Sequence, residues 1–236
     1  MSKLYFFRHA QASYLADDYD QLSEKGLAQS RLLGKYLADK KQHFDKIFVG
    51  PLKRQQQTYQ QVQIIYQQHG LSLPEPTELP GLKEHAGTEG VKLAYPQLMQ
   101  VPRLKALFEE QVADPGKRHR NTLLIFQYFM DEWTEGRITI PGIESWAEFR
   151  QMVKKSLDEI FVQTQKGEKI GIFTSGGTIS SITAEALKLD REQRVAAMNF
   201  SVRNTSFSTF FYSRGQFNLL SFNELPHLPE EMITFV

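Results

Sequence analysis

The chain has 236 residues, 41% of them hydrophobic and 23% charged, which is an ordinary globular balance and is long enough for one large domain or a domain carrying an insertion. A net charge of +1 leaves no electrostatic footprint for nucleic acid or an anionic membrane, so any attraction for an anion has to be local. Zero cysteines exclude disulfides and thiolate metal sites and fit a reducing compartment. No basic-then-apolar leader precedes the first apolar run, and none of the runs approaches the roughly 20 residues needed to span a bilayer, so a cytoplasmic location is the default expectation.

The first strand is expected over Lys3 to Phe7, where the run Leu4-Tyr5-Phe6-Phe7 empties into Arg8 and His9. That places a cation and an imidazole together at the carboxyl edge of a sheet, where open α/β folds bind ligands. A helix follows from Ser23, a credible N-cap, to about Lys41, with Leu27, Leu32, Leu33, Tyr36 and Leu37 as its apolar stripe. Lys46 to Val49 reads as the second strand. The helix after it runs from Pro51, with proline in its first position, to about His69; Gly70 stops it, and Leu73 to Pro80 reads as a connector. In this helix Gln55 to Gln68 is glutamine-rich, but Tyr59, Val62, Ile65 and Tyr66 recur at helical spacing. Arg54 falls in the first turn, beside unpaired backbone N–H groups that favour an anion.

From about Gly81 to Pro141 the alternation of strand and helix breaks into mostly helical sequence with charged punctuation, and this is read as an insertion over the sheet edge. It begins with the loop Leu82-Lys83-Glu84-His85-Ala86-Gly87-Thr88-Glu89-Gly90, which carries two acids. A long amphipathic helix is expected from Glu144 to about Lys166, and the strand Lys169 to Thr174 then runs into the turn Ser175-Gly176-Gly177 and a helix from Thr178 to about Leu189. The two glycines there would let backbone approach a ligand closely. Ser206 to Tyr212 and Phe217 to Phe222 read as two strands joined across Arg214-Gly215. The whole predicts an α/β three-layer sandwich: a mostly parallel central sheet, helices on both faces and a helical cap insertion at about 81–141, in a single domain spanning 1–236.

Two arginines, an imidazole, an acid and a glycine turn make a collection that suits a phosphate monoester. With Arg8-His9-Ala10-Gln11-Ala12-Ser13, Leu52-Lys53-Arg54 with Gln57-Thr58, Glu84, and Ser175-Gly176-Gly177, the chain resembles the phosphoglycerate-mutase-like branch of the histidine phosphatase superfamily. Leu22-Ser23-Glu24-Lys25-Gly26 and Glu144-Ser145-Trp146-Ala147-Glu148-Phe149 are similar to two helix starts of that family. There are two departures. Ala10 stands where the family has glycine, and Ser175 stands where it has its second histidine.

The resemblance implies a phosphomonoester hydrolase with no cofactor and no metal. His9 would be the nucleophile that becomes a phosphohistidine, and Glu84 the general acid, with Glu89 as its fallback. Arg8 and Arg54 would fork the phosphoryl oxygens, and Ser175 and Gly176 would complete the phosphate contacts. The expected partner is a small phosphorylated substrate or inorganic phosphate, with no nucleic acid and no membrane; a homodimer is left open. Serine at 175 is neutral and shorter than histidine, and losing one such donor costs about a hundred- to a thousand-fold in rate, so weakened turnover is expected.

Several alternatives stand beside that assignment. The same pocket could sense or sequester a phosphorylated ligand without turnover. A mutase must also shield its phosphohistidine from water, which asks for a fully equipped site. Thr174 to Thr178 lacks the Lys-Ser/Thr ending of a nucleotide phosphate loop. His85 could stand in for the missing histidine, but it is expected to be a loop histidine, as are His43, His69, His119 and His227. Asp17, Asp18 and Asp20 are read as a polar loop rather than a cation site. Arg103, Lys105, Lys117, Arg118 and Arg120 are read as a solvated face.

Overall fold

A computed structural model describes residues 1–13 and 20–235. Its single sheet has six strands in the order β3-β2-β4-β1-β5-β6, where β1 is Ser2–Arg8, β2 Lys46–Val49, β3 Pro76–Glu78, β4 Lys169–Thr174, β5 Phe207–Ser213 and β6 Gln216–Glu224. The first four run parallel; β5 and β6 are antiparallel additions at one edge. Side chains alternate across the pleat, so β1 sends Leu4 and Phe6 to one face and Phe7 to the other, and β4 does the same with Ile170 and Ile172 against Phe173. Helices α1 (Glu24–Asp39) and α2 (Lys53–Gln68) cover the Phe7 face through Leu33, Leu37, Val62 and Tyr66. The Leu4 face is covered by α6 (Trp146–Gln163) and α7 (Gly176–Leu187), together with the side chains of α3 (Gly87–Leu98), α4 (Pro102–Ala113) and α5 (Arg118–Thr134). This is the expected three-layer α/β arrangement. A short α8 (Glu192–Asn199), not anticipated from the sequence, closes the gap between α7 and β5.

The element ends move for local reasons. Pro51 lies outside α2 because Leu52 takes the cap position, where Gln55 Oε1 accepts the Leu52 N–H. Ser145 caps α6 reciprocally with Glu148, so the helix starts at Trp146 rather than Glu144. Within the supposed connector at 73–80 lies β3, a three-residue edge strand opened by a proline, which masks its sequence signal. The β5–β6 hairpin turns on Arg214 and Gly215, both at positive φ (51° and 74°), as a tight two-residue connection requires. Among the described residues no helix is long and apolar enough to cross a membrane.

Candidate active site

Parallel pairing of β1 with β4 brings Arg8 level with Thr174, so the turn after each strand opens at the same sheet edge. The His9 N–H donates to the Thr174 carbonyl at 2.8 Å, and the β2 edge joins through Gly50 N–H to the Phe173 carbonyl at 3.0 Å. Three loops thus converge where the first turn of α2 begins. His9 is only 5% exposed, and Arg8 and Arg54 are also buried. Arg54 touches the His9 ring directly, and Arg8 is near enough to act on it through its charge.

The imidazole of His9 is fixed at both nitrogens. Its Nδ1 lies 2.8 Å from the Ala10 carbonyl oxygen, an acceptor only, so Nδ1 carries the proton. Nε2 is then the lone-pair nitrogen, and Arg54 Nε donates to it at 3.1 Å. Burial, and then the charges of Arg54 and Arg8, hold the ring well below the usual histidine range; the bond to Ala10 works the other way. Further out, Arg54 Nη1 reaches Asp20 Oδ1 at 2.7 Å, and Asp20 Oδ2 accepts the Lys53 N–H at the start of α2. Arg8 Nη1 donates to the carbonyls of Val202 and Phe235, the latter at 2.7 Å. Asp20 therefore belongs to the site, whereas Asp17 and Asp18 lie outside the described residues.

The glycine turn carries a different load from the one expected of it. A Cβ on Gly176 would stand 2.3 Å from Asn199 Oδ1, and one on Gly177 would stand 2.2 Å from Glu84 Oε1 and 2.5 Å from the His85 ring. The close approach that glycine permits is thus used by the protein's own side chains. Glu84 accepts the Gly177 N–H with both carboxylate oxygens, at 3.1 and 3.2 Å, so a carboxylate sits at the N-terminus of α7. The Ser175 hydroxyl is fully buried and accepts from Gln55 Nε2 at 2.7 Å, while the same amide also donates to the Leu82 carbonyl. Glu89, by contrast, is exposed in the first turn of α3.

Two histidines depart from the expectation of ordinary loop residues. His85 is 7% exposed and lies among Trp133, Trp146 and Phe149, with ring centroids 5.6–5.8 Å away. His227 is also buried, against Tyr36 and Phe207, with Nε2 3.0 Å from Thr205 Oγ1. Spacing could not reveal either, because the elements that bury them are far apart in sequence. Asn199 carries no sequence signal, since nothing local distinguishes an asparagine at a helix end. His43, His69 and His119 are exposed, as are Arg103, Lys105, Arg118 and Arg120, while Lys117 pairs with Glu110 at 2.6 Å. Among the described residues there is no group of three or more acidic or histidine side chains placed to hold a metal.

Residues 4–100 and 115–225 match the family model of the histidine phosphatase superfamily (branch 1); most of the unmatched stretch between them is α4. Compared with curated proteins by sequence, the chain matches none. Among solved structures, it is similar to the phosphoserine phosphatase of Entamoeba histolytica in complex with 3-phosphoglyceric acid: 20% identity, TM-score 0.60, covering 97% of this chain and 100% of that one. It is also similar to the phosphoglycerate mutase of Bacillus anthracis, with 18% identity, TM-score 0.60 and coverage of 96% and 94%. The α-ribazole phosphatase of Shigella flexneri gives 18% identity, TM-score 0.58 and coverage of 94% and 96%.

Proposed function

Because this chain belongs to the histidine phosphatase superfamily, branch 1, we propose that it hydrolyses a small phosphomonoester through a phosphohistidine on His9. The observation that carries the reading is the state of that ring. A buried neutral imidazole with its Nδ1 proton held by Ala10 has the lone pair of Nε2 as its one nucleophilic site, and a guanidinium stands 3.1 Å from it.

The reaction takes two displacements. His9 Nε2 forms a bond to phosphorus as the bond from phosphorus to the leaving oxygen breaks. Glu84, protonated at the start, supplies the proton that oxygen needs; water then attacks phosphorus, its proton passing to the carboxylate so formed as the bond from phosphorus to His9 Nε2 breaks, and inorganic phosphate leaves. Arg8 and Arg54 position the phosphoryl oxygens and offset the charge they carry in a loose transition state. α3, α4 and α5 form the cap from which substrate choice is set. The similar structures are a phosphoserine phosphatase, an α-ribazole phosphatase and a mutase, and a phosphomonoesterase of a small metabolite is the activity that fits two of the three.

A second reading, binding without effective turnover, draws on the donors already committed within the protein. Gly177 N–H is given to Glu84 and Arg8 Nη1 to two backbone carbonyls, while Ser175 Oγ is held as the acceptor of Gln55 Nε2. A phosphomonoester screen of wild type beside His9→Ala, with trapping of an acid-labile phosphoenzyme, separates the two. Hydrolysis and label that vanish together in His9→Ala support the enzyme. Phosphate binding with no turnover and no label supports the binding protein.

A further inference from the structure

His85 is more than a neighbour of the proposed acid. Its Nδ1 accepts the Gly87 N–H at 3.0 Å, so a neutral ring carries its proton on Nε2. That nitrogen lies 3.6 Å from Glu84 Oε1 and 3.0 Å from Asn199 Nδ2, and turning that amide over brings its oxygen to the ring N–H. The backbone N–H of His85 also donates to Glu84 Oε1 at 3.0 Å. Three aromatic rings from α5 and α6 hold the imidazole in place, and Gly177 leaves the room for its edge. Asn199, at the end of α8, stands over Gly176 beside Arg8 Nε. Glu84 is thus backed by a run of His85 and Asn199 that ends beside a phosphate-binding arginine.

We propose that His85 is the positioning residue of the general acid: it sets where the Glu84 carboxyl stands against the α7 N-terminus, with Asn199 fixing the ring. This rests on the assignment of Glu84 under the proposed function. A residue acting through Glu84 influences the departure of the leaving oxygen, which kcat/KM reports; the later hydrolysis, in which water gives its proton to the same carboxylate, is shared by every substrate and does not enter kcat/KM. Its removal should therefore slow substrates with poor leaving groups and spare those whose leaving group departs unaided.

The test compares an alkyl phosphate with 4-nitrophenyl phosphate in wild type, His85→Phe and His85→Gln. Phenylalanine keeps the ring among Trp133, Trp146 and Phe149 but removes both nitrogens, whereas glutamine can still accept from Gly87 and donate. The expected result for His85→Phe is an alkyl phosphate kcat/KM lower by about a hundredfold, the low end of what acid catalysis supplies. The 4-nitrophenyl phosphate kcat/KM should stay within about twofold and inhibition by inorganic phosphate should be unchanged, with His85→Gln recovering part of the alkyl kcat/KM. An equal loss on both substrates, or no loss on either, overturns the proposal. If wild type still forms the His9 phosphoenzyme, that failure leaves the proposed function standing; if wild type forms none, both fall.

Discussion

Arg54 Nε donates to His9 Nε2 at 3.1 Å, while Nη1 of the same guanidinium lies 2.7 Å from Asp20 Oδ1. One planar cation thus spans the proposed nucleophile and a carboxylate that fixes its orientation. Lysine would keep the charge but lose the fork, and it cannot serve both partners in that geometry. Arg54→Lys is expected to lower kcat/KM by about a hundredfold or more, the scale of one lost donor at an organised oxyanion site. Asp20→Asn, which leaves Arg54 in place but loosely held, should fall by about tenfold, consistent with the loss of roughly one hydrogen bond to a charged group. Steady-state kinetics on one aryl phosphate decide it, and a wild-type kcat/KM for Arg54→Lys would remove the arginine from the chemistry.

Burial and two cations hold His9 well below the usual 6.5, so its lone pair stays available far into acid. The nucleophile must be unprotonated to attack; lowering its pKa therefore moves the acid limb of kcat/KM down, and that limb should lie well below pH 6.5. Arg54→Gln removes the second of the three lowering causes and should raise the limb toward 6.5 without reaching it, because burial is the largest cause. A pH profile of the residual activity checks the sign. A limb that moves further into acid in this variant would contradict the electrostatic account.

Ser175 and Gln55 fill one buried space together: both are fully buried, and the amide reaches the hydroxyl at 2.7 Å. A histidine at 175 has to displace that amide, so Ser175→His alone is expected to lose about 1–3 kcal/mol of stability to overpacking and to gain no activity. Shortening the partner as well makes the room. The pair Ser175→His with Gln55→Ala should be more stable than Ser175→His alone and show higher turnover of aryl phosphate than wild type. Chemical denaturation and a rate assay on the three proteins test this, and a double variant no better than the single one would show that the two positions are independent.

What was legible in the sequence was whatever a local pattern encodes. Strand-end pairs such as Arg8-His9 and the turn at Ser175 announce themselves because an apolar run stops at a sheet edge. The β3 strand did not, since three residues opened by Pro76 give no period to read. Nor did the surroundings of Glu84. Gly177 lies 93 residues from it and Asn199 lies 114 residues from His85, and only the packing of α7 and α8 over the loop brings them together. The same distance explains why Gly176 and Gly177 read in sequence as room for an incoming ligand: the sequence shows that something must come close, not that it is the protein's own acid and imidazole.

His227 provides a pH effect on stability that is separate from catalysis. Its Nε2 faces Thr205 Oγ1, whose own hydroxyl donates to the Asn204 carbonyl, so Nε2 carries the proton and donates. Nδ1 is buried and has no hydrogen-bond partner among the described residues. Protonating it would bury an unpaired charge, and burial accordingly lowers the ring to about 4. In the unfolded chain the ring takes its proton near 6.5 instead. Stability is therefore complete above pH 6.5 and is lost as the pH falls toward 4, by about 3 kcal/mol in full. His227→Phe keeps an aromatic ring beside Tyr36 and Phe207 and removes the titration. It should be less stable than wild type at pH 7.5, by about 1 kcal/mol for the bond to Thr205, yet lose less on acidification. Urea unfolding of both proteins at pH 7.5 and pH 4.5 measures the difference. His9, also lowered by burial, contributes to both and cancels in the comparison. Equal acid losses in the two proteins would show that the buried ring at 227 is not what makes the fold acid-sensitive.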